Sequence, residues 1–364
     1  MCAKIAVAMS GGVDSSAAAL LLKEAGHDLL GLTLRLSPVC APSPEWLDPR
    51  GMELTRDEYD AQTVAGQLGM PHRVLDMTQN FRDQVIEPFV RAYEAGLTPN
   101  PCTLCNRSLK FGSLLEQAKS LGCEKVATGH YAIIEQDSAT GRYLLYRAAH
   151  PEKDQSYVLY SLTQEQLSQS LFPLGRLSKD EIREAAAGHG LVSAHRTDSQ
   201  DICFIPDGDY AAFIQRWRGH DYPAGPFVDE EGVKLGDHEG IIHYTVGQRR
   251  GLGVSSNHGR LYVKEVRPAD NTVVLSENAS LFSRSLTADR LNLIPMDKLD
   301  GPVRLYAKVR YRMKEQPCTV EQTGPDTIRV TFDQPQRAVT PGQAVVLYDG
   351  DLVVGGATIL KGEP

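Results

Sequence analysis

No run of the 364 residues is apolar over the length a bilayer requires, so the sequence pattern offers no membrane-spanning helix. The apolar start is broken by Gly11, Gly12 and Asp14, and no signal peptide is expected. The 7 cysteines are odd in number and scattered, which fits a reducing, cytoplasmic setting better than a secreted disulfide framework. An excess of positive charge is also missing: the formal net charge is −8. That excludes a surface basic all over, but not a local basic groove. Internal repeats and low-complexity tracts are absent. What remains is the composition of a globular protein, 41% hydrophobic and 23% charged, at a length that predicts two or three domains.

The first apolar run, Ile5–Met9, is closed by Ser10-Gly11-Gly12-Val13-Asp14-Ser15-Ser16 and followed by an alanine- and leucine-rich stretch to Ala25. That order predicts strand, glycine turn and helix. Consecutive backbone N–H groups and the positive end of a helix then converge on an anion site. Glycines let a phosphate approach where a Cβ would block it, and Ser10, Ser15 and Ser16 offer hydroxyl donors. The Gly-Lys-Ser/Thr end of a Walker loop and the spaced glycines of a dinucleotide fold are both lacking. A lone glycine pair is as readily a plain turn; the complete string resembles the PP-loop of ATP pyrophosphatases, which cleave ATP between the α- and β-phosphates.

Alternation continues beyond this loop. Strands are predicted at Lys4–Met9, Asp28–Leu36, His72–Asp76 and Lys125–Thr128, with helices at Ser15–Ala25, Arg56–Leu68, Gln79–Ala95 and Asn106–Leu121. This is an α/β pattern: a parallel sheet covered on both faces, with ligands at the carboxyl ends of its strands. The segment Leu36–Pro49, rich in proline, reads as a loop. A polar stretch at 163–190 reads as a helical insert outside the sheet. Beyond about residue 207, short strands alternate with glycine and proline turns, as in Gly225–Val228, Ile241–Val246, Val303–Met313, Thr319–Gln322, Thr327–Phe332, Ala344–Tyr348 and Leu352–Ile359. Asp349-Gly350 marks a tight hairpin. The expected architecture is an N-terminal parallel-sheet PP-loop domain (1–206), a small β-rich central module (207–285) and a C-terminal β-barrel (286–364).

Asn100-Pro101-Cys102-Thr103-Leu104-Cys105-Asn106-Arg107 holds a Cys-x-x-Cys pair at an expected helix start. A thiol there is expected to have its pKa lowered by the helix end and by Arg107. Half of a structural zinc site is the alternative, although no second Cys-x-x-Cys follows. Cys203 lies far along the chain between apolar neighbours, where a cysteine is ordinarily a small core residue. Cys2, Cys40, Cys123 and Cys318 have no chemical context.

The string Ser10–Ser16, the Asn-Pro-x-x-x-Cys-Asn segment, Ala127-Thr128-Gly129-His130-Tyr131, Lys153-Asp154-Gln155-Ser156-Tyr157, Ser199-Gln200-Asp201-Ile202-Cys203-Phe204 and Tyr244–Gly251 occur in this order. Together they resemble the bacterial tRNA-specific 2-thiouridylase family over essentially the full length, with an adenine nucleotide α-hydrolase-like N-terminal fold. The resemblance implies ATP with Mg²⁺, adenylation of the C2 oxygen of the wobble uridine, and displacement of AMP by sulfur. Sulfur would arrive on Cys203 as a persulfide from a donor protein, with Cys105 as the attacking thiol. Ala8, Met9, Ser10, Gly11, Gly12, Val13, Asp14, Ser15, Leu34 and Gly129 would bind ATP. Asp14 would face Mg²⁺ or the α-phosphate, or else cap its helix. Asn100, Pro101 and Cys102 would line the target base, and His130, Lys153, Asp154 and Gln155 would contact tRNA. The family usually has Asp where this chain has Cys102. That departure leaves a second possibility open, a [4Fe–4S] cluster held by Cys102, Cys105 and Cys203.

Arg304, Tyr306, Lys308, Arg310, Arg312 and Lys314 alternate with Leu305, Ala307, Val309, Tyr311 and Met313. At strand period this predicts one basic face for RNA phosphates, continued by Arg249, Arg250 and Arg260. A solvated barrel face is the plainer alternative. The resemblance adds Arg310, Tyr311, Arg312 and Gln343 as tRNA contacts. Two rivals stand beside this function: a PP-loop ligase or amidotransferase that adenylates a carboxylate, and a tRNA-binding module stabilised by a metal.

Overall fold

A computed structural model describes residues 4–36, 43–48, 51–194, 196, 202–254 and 259–364. The described chain falls into two compact units, residues 1–85, 102–200 and 351–353 in one and residues 86–101, 201–350 and 354–364 in the other.

The first unit is built on a five-stranded sheet in the order His72–Asp76, Asp28–Arg35, Lys4–Ala8, Lys125–Ala127, Ser170–Leu171, every pairing parallel. Side chains of adjacent residues serve opposite faces, as strand geometry requires. Ile5 and Val7 join Ala17, Leu20 and Val64 in one core, while Ala6, Leu30 and Val126 join Leu114 and Ala118 in another. Both faces are therefore covered by helices, which is the condition for an all-parallel sheet.

The four strands read from sequence are present within a residue or two of their expected ends. So are the first three helices, at Val13–Glu24, Arg56–Gln67 and Thr78–Glu94, while the fourth, Pro101–Ser120, starts five residues earlier than Asn106; the last two are not uniformly α-helical. Their middle segments, Arg82–Ile86 and Cys105–Ser113, widen to the π pattern. The polar stretch 163–190 departs from expectation. It is helical at Gln164–Ser168 and Lys179–Gly188, but Ser170–Leu171 pairs with Val126 and Ala127 and extends the sheet. Two residues are too few to show a period.

The second unit contains a four-stranded sheet in the order Lys234–His238, Gly225–Val228, Thr272–Ser276, Tyr262–Arg267. It also contains a six-stranded barrel, Phe282–Leu293, Ile328–Arg337, Gln316–Gln322, Val303–Lys308, Ala344–Asp349 and Leu352–Glu363, closed by pairing of the last strand with the first. Leu286, Val320, Phe332, Val345 and Leu347 fill its interior. Closure removes the free edges that would otherwise invite pairing with another chain. The hairpin expected at Asp349-Gly350 is there, with Gly350 at φ 57°. Two expected strands change: Ile241–His243 is a 3₁₀ turn, and the strand from Val303 stops at Lys308. Among the described residues no helix is long and apolar enough to cross a membrane.

Candidate active site

Strand Lys4–Ala8 delivers the chain to a turn at Ser10–Gly12, and the helix Val13–Glu24 begins at once. The two glycines do different work. Gly11 has φ +73°, and a Cβ there would stand 2.5 Å from the carbonyl oxygen of Asp57. Gly12 has ordinary angles, φ −84° and ψ 163°, and a Cβ would meet nothing nearer than Ser10 Oγ at 3.6 Å. The fold thus requires glycine at 11, whereas at 12 the space lies open beside the helix N-terminus, where a phosphate can approach.

The serines face inward. Ser15 Oγ accepts from Ser10 N at 3.1 Å and donates to Gly12 O at 3.1 Å, and Ser16 Oγ donates to the same carbonyl at 2.9 Å. They brace the loop instead of offering those protons to a ligand. Met9, 3% exposed, is core, and its N–H bonds Leu32 O at 2.9 Å; Leu34 is half-buried against the second core.

Asp14 makes no capping bond. Its Oδ1 accepts from the Tyr131 hydroxyl at 2.6 Å and from Lys179 Nζ at 2.7 Å. Lys179 opens the helix Lys179–Gly188, set by the capping box of Ser178 and Glu181, and its side chain is 9% exposed. A buried ammonium beside a phosphate loop is a cation poised for an anion. Sequence reasoning missed it. Ser178-x-x-Glu181 signalled the helix start, but nothing in the chain signalled that Lys179 would meet a residue 165 positions earlier. Gly129 permits the approach of the neighbouring segment, since a Cβ there would lie 2.7 Å from Asp14 C and 2.8 Å from Ser15 N.

The cysteine segment follows different physics. Pro101 starts the helix, Cys102 is exposed and Cys105 is buried one turn on, inside the π segment. Gln166 Nε2 donates to the carbonyls of Arg107 at 2.9 Å and Phe111 at 2.8 Å, stabilising the widened turns. Asn106 Nδ2 donates to Val158 O at 3.0 Å. The expectation of lowered thiol pKa values is corrected here. Burial pushes the Cys105 thiol up, opposed by the positive charge of Lys110, and Cys102 raises it further; the Cys102 thiol, on a residue that is itself exposed, is pushed the same way by the chain packed around its sulfur. Exposed Arg107 has no part in it, and the desolvation cost of a thiolate exceeds the help from the helix end. Cys203 is exposed, while Ser199-Gln200-Asp201 ahead of it lies outside the described residues.

Several residues expected to contact tRNA have internal partners in this structure. His130 is buried between Phe111 and Phe172, bonds Thr128 Oγ1 at 2.7 Å, and is held neutral by burial and Lys110. The Asp154 carboxylate accepts from Ala148 N, Ser156 N and Ser156 Oγ at 3.1, 3.1 and 2.9 Å. Gln155 Oε1 accepts from Tyr131 N at 3.0 Å, which steadies the tyrosine that touches Asp14. Lys153 is half-buried.

The basic face is shorter than its sequence alternation. After Lys308 the chain turns at Val309–Glu315 to enter the next strand. Arg304 is forked onto Asp333 at 2.8 and 2.7 Å. Arg310 donates to Ala338 O at 2.8 Å and Thr340 Oγ1 at 3.0 Å, so it ties this turn to the chain just after the strand Ile328–Arg337. Tyr311, Arg312 and Lys314 are exposed on the turn, as are Arg249, Arg250 and Arg260 in the central module, and no described carboxylate pairs with these five cations. Gln343 Nε2 donates to the carbonyls of Thr98 at 2.9 Å and Pro99 at 3.4 Å, immediately before Asn100 and Pro101.

Residues 3–207 match a family model described as a tRNA methyl transferase HUP domain, residues 211–277 its PRC-barrel domain, and residues 283–359 an aminomethyltransferase beta-barrel domain. The tRNA-specific 2-thiouridylase MnmA of Clostridioides difficile is 44% identical over 364 residues, covering 98% of each chain. The same enzyme of Heliobacterium modesticaldum is 50% identical, covering 98% of this chain and 92% of its own. The chain belongs to the tRNA-specific 2-thiouridylase family. In Koribacter versatilis the family member is 48% identical over 98% of both chains. Among solved structures, a 4-thiouridine synthetase–RNA complex with bound ATP is a remote match, with TM-score 0.35 and 16% identity over 57% of this chain and 46% of that one.

Proposed function

We propose that this 2-thiouridylase activates the wobble uridine of tRNA with ATP and then replaces its C2 oxygen by sulfur. The observation that carries the activation half is the open cradle at Gly12 beside the ion pair of buried Lys179 with half-buried Asp14. ATP phosphates enter at the helix N-terminus, and Lys179 turns from Asp14 to the departing pyrophosphate. Asp14 fits Mg²⁺, which takes one or two carboxylates and completes its shell on substrate phosphates. Bound there, Mg²⁺ would neutralise charge on the triphosphate. Lys179 supplies a fixed positive charge on the same side, and Tyr131 holds the Asp14 carboxylate in place.

The uridine O2 attacks the α-phosphorus, and the bond from that phosphorus to the bridging oxygen breaks with loss of pyrophosphate. The terminal sulfur of a Cys203 persulfide then attacks C2, and AMP leaves with the former O2. Cys105, as thiolate, attacks Cys203 Sγ; the S–S bond breaks, its electron pair leaves with the sulfur now on C2, and a Cys105–Cys203 disulfide remains. An external dithiol reduces that disulfide for the next cycle, and a persulfide-bearing protein reloads Cys203. Asn100, Pro101 and Cys102 border the base. With cysteine at 102, no carboxylate at that position takes part in proton transfer. Tyr311, Arg312 and Gln343 on the barrel, with Lys153 and the central-module arginines, form the tRNA-contacting set, in a cytoplasmic enzyme.

An iron–sulfur cluster binds thiolates, whereas burial of the Cys105 side chain favours its protonated form. No step is therefore drawn through a cluster. Purified protein with the relay chemistry is expected to be iron-free and to thiolate tRNA from a persulfide donor. About four irons per chain, counted after anaerobic purification, would overturn the relay. The whole function is tested with Cys203→Ser, for which tRNA-dependent AMP formation is expected to persist while thiouridine formation is lost. Unchanged thiolation would sink the assignment.

A further inference from the structure

Two segments of the second unit carry proposed chemistry: Thr98–Pro101, leading to the base, and the turn bearing Cys203. The helix Glu87–Glu94 leads to the first through a turn at Ala95–Gly96, and the helix Tyr210–Arg218 follows the second. Glu87 and Glu94 are seven residues apart, two turns, and so share one helix face. Arg218, at the end of its own helix, spans them. Its Nε and Nη2 donate to the Glu94 oxygens, both at 2.8 Å, and its Nη1 donates to both oxygens of Glu87 at 3.0 Å. Trp217 Nε1 adds a bond to Glu87 at 3.2 Å, and the Tyr222 hydroxyl donates to Glu94. These contacts hold Arg218 more firmly protonated and both carboxylates more firmly ionised than usual.

Between the helices the aromatic rings interlock. Phe204, adjacent to Cys203 and 3% exposed, meets Phe89 edge-on at 5.3 Å and Phe213 at 5.2 Å. Tyr93 stacks on Tyr210 at 4.6 Å. Cys203 itself is exposed, so the sulfur-bearing residue stands at the edge of a rigid aromatic block, and that block is tied by one forked guanidinium to the helix feeding the base segment.

We infer that Arg218 is a positioning residue for sulfur transfer: by clamping Glu87 and Glu94 it sets, through Phe204, where Cys203 stands relative to the chain at Asn100 and Pro101. This rests on the proposed role of Cys203. The clamp has no part in ATP binding, so it separates the two half-reactions. An ångström of misplacement costs on the order of 100-fold in a transfer between two positioned groups.

The test measures AMP and 2-thiouridine together, in single turnover on the full-length protein with tRNA, after loading Cys203 with polysulfide. For Arg218→Ala, AMP formation is expected within about twofold of the parent and thiouridine per AMP to fall at least about tenfold. Arg218→Lys, which keeps the charge but loses the fork, should fall between the two. Persulfide loading of Cys203, measured by mass, should be unchanged. Normal thiouridine per AMP in Arg218→Ala overturns the clamp; an equal loss of both half-reactions does so as well. If Arg218→Ala loses its cooperative melting transition, Phe204→Leu serves in its place, and undiminished coupling there is equally decisive. Cys203→Ser runs alongside. Thiolation retained by that variant would mean that the relay itself is wrong, a result distinct from failure of the clamp.

Discussion

The phosphate loop and the cysteine segment lie in the same unit and are prepared in opposite ways. At Ser10–Ser16 the serine hydroxyls, the helix start and the Gly12 space are arranged before any ligand arrives, and Asp14 already holds a cation. At Cys102–Ser113 the proposed attacking thiol, Cys105, is buried, and burial disfavours its thiolate. Preorganisation suits a site that must orient charges around a leaving group. A resting thiol suits a site that must not react until its partner is present. On the proposed function, the contrast makes ATP activation the constitutive half of the reaction and sulfur release the conditional half.

The largest effect expected from breaking this contrast is at Lys179. Lys179→Met should lower tRNA-dependent AMP formation by about 10²–10³-fold, the range for loss of one preorganised charge-stabilising group, while leaving persulfide loading of Cys203 intact. Pyrophosphate release in single turnover is the measurement, and a decrease under threefold would remove Lys179 from the activation step.

The two glycines should fail differently. Gly11→Ala is expected to lower stability by roughly 1–3 kcal/mol, for its left-handed backbone and its collision with Asp57. Gly12→Ala should melt like the parent and raise the KM for ATP. Thermal unfolding and ATP titration on both variants check this, and the pattern reversed would refute the cradle.

A pH series sharpens the conditional half. With the Cys105 pKa pushed above its ordinary value by burial, thiolate is the minor form at neutral pH and grows as pH rises, so the sulfur-transfer rate should climb from pH 7 to 9 while AMP formation does not follow it. Removing the nearby charge in Lys110→Met should move the profile further alkaline. A sulfur-transfer rate flat from pH 7 upward would show that the thiolate is already formed.

The smallest effects belong to the barrel turn. Arg312→Ala and Lys314→Ala should each weaken tRNA binding evenly across sequences and reduce the salt slope by about one. Arg310→Ala, in contrast, should lower the melting temperature because its guanidinium bonds backbone and Thr340 inside the unit. Filter binding across a salt series distinguishes the two kinds of arginine.

What could be read beforehand followed from periodicity. Ile5, Val7 and Ala6 alternate between the two faces of the sheet, and the glycine turn announced where the first strand ends. Side chains that act across long separations could not be read this way. Lys179 lay unsingled within the polar stretch 163–190, and Asp14 read as a partner of Mg²⁺ or the α-phosphate or else a helix cap, because the contact between the two exists only once the sheet is built. Alternation also misled: the pattern from Arg304 to Lys314 runs on past Lys308, where a turn with the same alternation replaces the strand. His130, Asp154 and Gln155 sit in strings correctly matched to the family, yet their side chains are spent on internal bonds. A motif locates a segment, whereas the partners of each atom decide what that segment can touch.

The π turns at Cys105–Ser113 carry a manufacturing tolerance of their own. A π turn accommodates a residue more than an α turn, and here Gln166 takes up two of the carbonyls it loosens. Deleting a single residue between Arg107 and Gly112 would let the helix close into regular α geometry. Because each α-helical residue turns the chain by about 100°, Cys105 and everything before it would be re-aimed relative to Leu114 and the sheet beneath. A shortened chain could therefore be better folded and chemically mute, with Gln166 left holding nothing.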